Sequence, residues 1–195
     1  MSGFEELFPG RLMAVLRGLP PDETVRLASI AWELGIDAVE VPIGRPDQIP
    51  ALLAAVEAGR SAGRRVGAGT VLTVGQVAAA LEAGAAYTVS PGLDEEVLRA
   101  SLAAGLPHLP GVATPTELHR AVLAGCSWVK AFPASSLGPS WFRDIRGPFP
   151  DVSLVATGGV TAATAPAFLD AGARVVAVGS ALSDPTQLPA LAALL

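Results

Sequence analysis

Apolar residues in this chain fall into short β-branched runs that alternate with longer stretches rich in Ala, Leu and Glu. Short apolar runs bounded by turn residues are typical of buried strands, and the longer stretches are typical of helices. This pattern predicts eight strands separated by helices. The strands are expected near residues 13–17, 38–43, 65–70, 87–90, 108–112, 128–132, 153–157 and 175–179.

Helix boundaries are marked by capping residues. Pro21 precedes two acidic residues that suit a first helical turn, while Thr73 and Thr114 each stand where an N-cap is expected. A glycine also follows most predicted helices, as is common at helix C-termini. These glycines are Gly35, Gly84, Gly105, Gly125 and Gly172.

A regular β/α alternation implies parallel strands, and eight such units close naturally into a (β/α)8 TIM barrel. We therefore predict one α/β domain over residues 1–195, which would be a barrel of minimal size. An open doubly wound sheet is the alternative. The barrel is favoured because eight strands can be counted and no Gly-x-Gly-x-x-Gly motif follows the first strand.

Composition narrows the function classes. Hydrophobic residues make up 51% of the chain, which predicts a large core and some apolar surface covered by self-association. No apolar stretch reaches the roughly 18 residues of a membrane span, and the N-terminus does not resemble a signal peptide. The net charge of -5 argues against nucleic-acid binding. One cysteine indicates a cytoplasmic protein, and two histidines without ligand spacing predict no metal site.

Lys130 is the single lysine among 13 lysine and arginine residues. Codon bias explains why lysine is scarce elsewhere, but not why the remaining one lies in an apolar strand, where charge is costly. Arginine supplies a fixed charge, whereas a buried lysine can act as a neutral amine nucleophile. Lys130 is thus a candidate catalytic residue.

Glu40 is the second candidate, since side chains alternate along a strand. If the apolar neighbours of Glu40 and Lys130 face the helices, both polar side chains point into the barrel. They could form a buried ion pair, or the amine could form a Schiff base while the carboxylate moves protons. Arg17, at the end of the first strand, could bind a substrate carboxylate or form a salt bridge at the rim.

Glycine turns follow the last two predicted strands. Gly158 and Gly159 come after Thr157, and Gly179 precedes Ser180. Glycines at these points let backbone N–H groups approach an anion, and phosphate sites of barrels commonly use the loops after strands 7 and 8. The two turns together favour a phosphate site.

Several motifs, in order along the chain, resemble those of the class I 2-keto-3-deoxy-6-phosphogluconate (KDPG) and 4-hydroxy-2-oxoglutarate (KHG) aldolases. The resemblance runs from about Met13 to Leu182. The motifs are Val-Glu-Val-Pro (39–42), Gly-Ala-Gly-Thr-Val (67–71), Ser-Pro-Gly (90–92), Pro-Gly-Val (110–112), Lys-Ala-Phe-Pro (130–133), Thr-Gly-Gly-Val (157–160) and Gly-Ser (179–180).

The resemblance implies a homotrimeric TIM barrel that needs no metal or other cofactor, because the substrate is held as a Schiff base on Lys130. It implies a catalytic role for Glu40. Substrate-binding residues would be Arg17, Thr70, Pro91, Phe132 and Thr157, and phosphate-binding residues would be Gly158, Gly159, Gly179 and Ser180. The reaction would be reversible cleavage of KDPG to pyruvate and glyceraldehyde 3-phosphate, and of 4-hydroxy-2-oxoglutarate to pyruvate and glyoxylate.

One departure concerns the substrate carboxylate. Some family members have an arginine four residues after the catalytic glutamate, where this chain has Gly44, with Arg45 one residue later. Other members carry it in a Leu-Arg context like that of Arg17, so we assign the carboxylate to Arg17. This feature also resembles the branch specific for 2-keto-3-deoxy-6-phosphogalactonate. Two further alternatives are a phosphate-binding barrel of the thiamine-phosphate synthase type and a noncatalytic metabolite-binding barrel.

Overall fold

A computed structural model of the chain describes residues 3–195. All nine strands run parallel to their neighbours. They are β1 (Leu12–Val15), β2 (Ala38–Pro42), β3 (Val66–Gly69), β4 (Thr88–Val89), β5 (His108–Leu109), β6 (Gly111–Val112), β7 (Trp128–Ala131), β8 (Ser153–Ala156) and β9 (Val175–Val178).

Nine α-helices and two short 3₁₀ turns accompany the strands in the described range. The helices are α1 (Phe4–Leu7), α2 (Pro21–Leu34), α3 (Ile49–Ser61), α4 (Val74–Glu82), α5 (Glu95–Ala103), α6 (Pro115–Leu123), α7 (Ala134–Ile145), α8 (Ala165–Asp170) and α9 (Leu188–Ala192). The 3₁₀ turns span Pro46–Gln48 and Ser180–Ser183. None of the helices between residues 3 and 195 is long and apolar enough to span a membrane.

The predicted barrel is confirmed, with one correction in its fifth strand. The sheet order is β5-β4-β3-β2-β1-β9-β8-β7-β6, so the two outermost strands follow each other directly in the chain. Pro110 separates them and has no N–H to donate to a ladder. The predicted strand over 108–112 is therefore two short strands. β5 pairs with β4 and β6 pairs with β7, which nearly closes the barrel at Pro110.

The predicted helix boundaries agree with the structure where a cap was recognised. Thr73 accepts a hydrogen bond from the backbone of Gln76, and Thr114 accepts one from the backbone of Glu117. Each cap is reciprocated by the side chain of its partner, which completes a capping box. All five glycines predicted to end helices have positive φ angles. These contacts fix the loops that lead into and out of each strand.

Side-chain alternation divides the core into two layers. Val39 and Val41 pack in the larger cluster, between the sheet and the helices, as do Val129 and Ala131. The smaller cluster fills the interior of the barrel, and its members include Met13, Ala38, Tyr87, Trp128, Val155 and Val175. Ala38 and Trp128 precede Glu40 and Lys130 by two residues. Both polar side chains therefore share the inner face of the barrel, as predicted.

An aromatic plug closes the amino-terminal end of the barrel, and sequence analysis did not predict it. Phe4 and Phe8 flank the short helix α1, and the Phe8 ring lies 5.3 Å from that of Tyr87 and 5.8 Å from that of Trp128. Trp128 Nε1 donates to Glu5 at 2.9 Å, and this bond lowers the pKa of the Glu5 carboxyl. The plug keeps water out of the barrel floor.

Tyr87 fills the middle of the barrel because β3 lends it space. Its hydroxyl donates to the carbonyl oxygen of Val39 at 2.7 Å, and burial raises its pKa well above the usual value. Gly67 lies against the Tyr87 ring so closely that any Cβ at this position would overlap the ring. The hydrogen bond ties β4 to β2 one residue before Glu40.

Replacing Gly67 by alanine is expected to lower the free energy of unfolding by about 1–3 kcal/mol, because the added methyl group forces the Tyr87 ring to move. Urea denaturation followed by circular dichroism measures the change. Gly10→Ala is the matched control, since no heavy atom lies within 4 Å of a Cβ there. Equal stability of the two variants would contradict the packing described for Tyr87.

Candidate active site

A cavity of about 600 Å³ opens at the carboxyl ends of the strands. This is the end at which TIM barrels carry their active sites. All nine residues predicted to bind substrate or phosphate line it: Arg17, Thr70, Pro91, Phe132, Thr157, Gly158, Gly159, Gly179 and Ser180. Residues that are far apart in sequence thus form one surface, and its volume suits a small phosphorylated metabolite.

Lys130 and Glu40 lie beneath this cavity rather than on its lining. Lys130 is 1% exposed and Glu40 is fully buried. Each is close to a lining residue: the Lys130 amine stands 5.0 Å from the centre of the Phe132 ring, and the Glu40 carboxylate fills the space beside Gly69, which precedes Thr70. The two predicted catalytic side chains therefore meet the cavity from below.

The structure does not pair the two buried groups. No ion pair joins Lys130 to Glu40, or either of them to any other side chain within residues 3–195. Both carboxylate oxygens of Glu40 are buried and have no hydrogen-bond partner in that range. Unpaired buried polar groups are rare because they cost free energy. The buried ion pair considered from sequence is absent from the described residues.

β3 makes room for Glu40 by carrying glycine where a side chain would face inwards. A Cβ at Gly69 would overlap the carboxylate itself. In the strand register, Glu40 stands opposite Gly67 and Pro42 stands opposite Gly69. The Gly-Ala-Gly-Thr motif is therefore a space requirement for a buried carboxylate on the neighbouring strand.

Arg17 and Thr70 form a polar pair on the wall of the cavity. Arg17 Nη1 donates to Thr70 Oγ1 at 3.2 Å. Thr70 has a φ of 56°, which is unfavourable for a β-branched residue and is often found at functional sites. Gly44 supports this conformation, because a Cβ there would stand 2.8 Å from the Thr70 methyl group. The departure at residue 44 is thus part of the site.

Arg45 takes no part in the cavity. Its side chain is 72% exposed and binds Asp47 through two hydrogen bonds of 2.8 and 3.1 Å. It is a rim residue, as the sequence predicted. Arg17 is the arginine that faces the cavity.

The glycine turns present backbone donors to the cavity. Gly158 and Gly159 have φ angles of 99° and 72°. The N–H groups of Gly159, Val160 and Ser180 find no acceptor among the described residues. Ser135 packs against Gly159, where a Cβ would overlap its side chain, and its N–H donates to the Gly158 carbonyl at 2.9 Å. Unpaired N–H groups in a glycine turn suit an anion.

Thr157 is the remaining predicted residue, and its hydroxyl is buried without a partner in the described structure. Thr161, Ser183 and Leu19 also line the cavity, although sequence analysis did not name them. Thr161 follows the Gly-Gly-Val turn directly, and this proximity was the one signal that could have identified it. Within residues 3–195 no cluster of three or more His, Cys, Asp or Glu side chains could hold a metal ion.

The family model for KDPG and KHG aldolases matches residues 5–191. The chain belongs to the KDPG and KHG aldolase family. It is a carbon–carbon lyase that acts on a small molecule. The non-aldolase alternatives considered from sequence are set aside.

Individual relatives agree with the family assignment. The chain is 39% identical over 175 residues to a probable 2-dehydro-3-deoxy-6-phosphogalactonate aldolase of Rhizobium meliloti, covering 89% of this chain and 82% of that one. It is 37% identical over 173 residues to an Escherichia coli aldolase of the same name, covering 88% and 83%. A KDPG aldolase of Legionella pneumophila, solved with pyruvate captured as a covalent carbinolamine, superposes with a TM-score of 0.85 at 27% identity, covering 100% of this chain and 97% of that one.

Gly44→Ala is expected to lower kcat/KM for aldol cleavage about tenfold, because the added methyl group displaces Thr70 and its partner Arg17 from their positions in the cavity. Steady-state kinetics with pyruvate release as the readout tests this. Gly75→Ala is the control, since the nearest heavy atom to a Cβ there is 3.8 Å away. Unchanged kinetics in Gly44→Ala would remove the supporting role assigned to Gly44.

Proposed function

We propose that this protein is a Schiff-base aldolase in which Lys130 forms the covalent intermediate. The observation that carries the proposal is the burial of Lys130 and Glu40 on one inner face, without an ion pair, directly beneath a cavity lined by donors for a carboxylate and a phosphate. Burial disfavours the charged form of an amine and so favours the nucleophile.

In the proposed reaction, the Lys130 amine attacks the C2 ketone of a 2-keto-3-deoxy-6-phospho sugar acid. The resulting carbinolamine loses water to give an iminium ion. Removal of the C4 hydroxyl proton then breaks the C3–C4 bond, and its electron pair moves into the iminium to form an enamine. The aldehyde leaves as glyceraldehyde 3-phosphate. Protonation at C3 and hydrolysis release pyruvate and restore the amine.

Glu40 is the group we assign to these proton transfers. Its carboxylate oxygens have no competing protein donor among the described residues, so they are free to bind a catalytic water or a substrate hydroxyl. Thr157 offers a free hydroxyl beside the same space, and we assign it to a substrate oxygen.

Binding of the two ends of the substrate follows from the cavity lining. Arg17, held by Thr70, would bind the carboxylate, and Phe132 and Pro91 would pack against the pyruvyl carbons. At the other end, the backbone donors of Gly159, Val160 and Ser180 would bind the phosphate, in the turns that contain Gly158 and Gly179. The reaction requires no metal in this scheme.

Trapping with pyruvate tests the covalent step. Incubation with pyruvate and borohydride should add one reduced pyruvyl group per chain, at Lys130, because the chain has one lysine. Peptide mapping by mass spectrometry separates this adduct from one on the N-terminal amine. Lys130→Arg keeps the charge but cannot form an imine, so it should lose both the adduct and aldol cleavage. An active Lys130→Arg protein would overturn the mechanism.

For the substrate, we favour the galactonate epimer over the gluconate epimer predicted first from sequence. The relatives that match most of the chain at 37–39% identity carry the galactonate name, while the Legionella gluconate aldolase is 27% identical. The carboxylate-binding position supports this choice, since Gly44 and Arg17 replace the arginine found after the glutamate in other members. The same Lys130 and Glu40 chemistry serves either configuration at C4.

Kinetics with the two epimers tests this choice. We expect cleavage of both, with kcat/KM for 2-keto-3-deoxy-6-phosphogalactonate higher by about fivefold or more, corresponding to about 1 kcal/mol of differential transition-state binding. A coupled assay for pyruvate release gives both constants, and 4-hydroxy-2-oxoglutarate serves as a substrate without phosphate. A preference for the gluconate epimer would restore the first prediction and leave the Schiff-base mechanism intact.

We also propose a homotrimer, and a cytoplasmic location that the single cysteine favours. Several large apolar side chains are exposed on the subunit, among them Leu72, Val74, Leu81 and Leu123. Apolar patches of this kind mark contact surfaces between proteins.

A further inference from the structure

A second cavity lies at the opposite end of the barrel from the active site. Its volume is about 330 Å³, and it is bordered by the end of α5, the start of β5 and the loop that enters β7. Phe4, Leu98, Leu102 and Trp128 supply most of its apolar wall. No charged side chain lines it among residues 3–195. The cavity therefore suits a neutral and largely apolar molecule.

His108 gives this cavity a polar group that the aldolase reaction does not use. The residue lines the cavity and is 3% exposed. Its Nδ1 forms a 2.8 Å hydrogen bond with Thr88 Oγ1, which in turn bonds the hydroxyl of Ser101. The two ring nitrogens of an imidazole diverge, so Nε2 points away from Thr88. Nε2 is buried and has no hydrogen-bond partner in the described part of the chain.

The chemistry of His108 defines the group it would bind. Burial lowers its pKa to about 4, so the ring is neutral at physiological pH. A neutral imidazole donates or accepts at Nε2, depending on its tautomer, and the hydroxyl of Thr88 is compatible with both tautomers. A ligand hydroxyl matches either case, because it can also donate or accept. Cys126 adds no charge to the wall, since burial raises the pKa of its thiol to about 11.

We propose that this cavity is a binding site for a small neutral molecule made of an apolar ring and one hydroxyl group, with the hydroxyl paired to Nε2 of His108. Its size supports a ligand of one or two rings, since an apolar cavity of about 150 Å³ already binds benzene. Aromatic and aliphatic walls supply most of the contact, and the single polar atom fixes the orientation.

The site is separate from the aldolase chemistry. Its lining shares no residue with the cavity above Lys130. The two sites communicate at most through β7, which carries Trp128 at the lower cavity and Lys130 below the upper one. Binding at the lower site is therefore testable whether or not the Schiff-base mechanism holds.

4-Methylphenol is the probe, with 1,4-dimethylbenzene as a partner of the same shape that lacks the hydroxyl. Ring ¹⁵N spectra of the intact protein resolve the histidines readily, because the chain has two. We expect 4-methylphenol to shift the Nε2 resonance of His108, leave the exposed His119 unchanged, and bind about tenfold more tightly than the hydrocarbon, as one hydrogen bond predicts.

Two variants complete the test, and aldol cleavage reports that each is folded. Leu102→Trp fills the cavity and should abolish binding of both probes. His108→Phe keeps the ring shape and should bring the affinities for the two probes together. The proposal fails if 4-methylphenol leaves His108 unperturbed, if it binds equally well to Leu102→Trp, or if free-protein spectra show Nε2 already bonded to a protein group or a fixed water.

Discussion

The burial of two ionisable side chains without a mutual ion pair is the constraint on which the rest of this structure depends. Lys130 and Glu40 stand on the inner face of β7 and β2, where a (β/α)8 barrel normally places branched apolar residues. Removing a charge or a polar group from water is costly unless it is paired. Folding must therefore supply that free energy elsewhere, and the aromatic plug below and the helix packing outside are the places where it does so.

Space is the second requirement, and it explains the glycines of β3. Gly67 accommodates the Tyr87 ring and Gly69 accommodates the Glu40 carboxylate, so two neighbouring strands fill the interior opposite a strand without inward side chains. The Tyr87 hydroxyl then fixes the backbone of β2 at Val39. One motif thus sets the position of the carboxylate, although none of its glycines touches the cavity. Its threonine does, in a strained conformation supported by Gly44.

Sequence reasoning was most successful where a periodic pattern or a capping residue carried the information. Alternation within Val-Glu-Val and Val-Lys-Ala predicted the inward direction of both catalytic candidates, and glycine turns predicted the donors at the last two strands. It failed where the information was three-dimensional. The break at Pro110 depends on two different neighbouring strands, and α1 is too short to show a period. Thr161 and Ser183 reach the cavity through loop geometry that no local pattern encodes.

The two ends of the barrel differ in a way that follows from these requirements. At the carboxyl end, unpaired N–H groups, a free hydroxyl and a strained threonine face a cavity, so the free energy that a bound substrate would return is left unspent in the free protein. At the amino end, rings and aliphatic side chains pack closely, and the polar atoms of Trp128 and Thr88 find partners. His108 Nε2 departs from that rule. At an end where packing otherwise satisfies the polar atoms of its aromatic side chains, one unpaired nitrogen beside an uncharged cavity argues for a ligand more strongly than the same atom would near the active site.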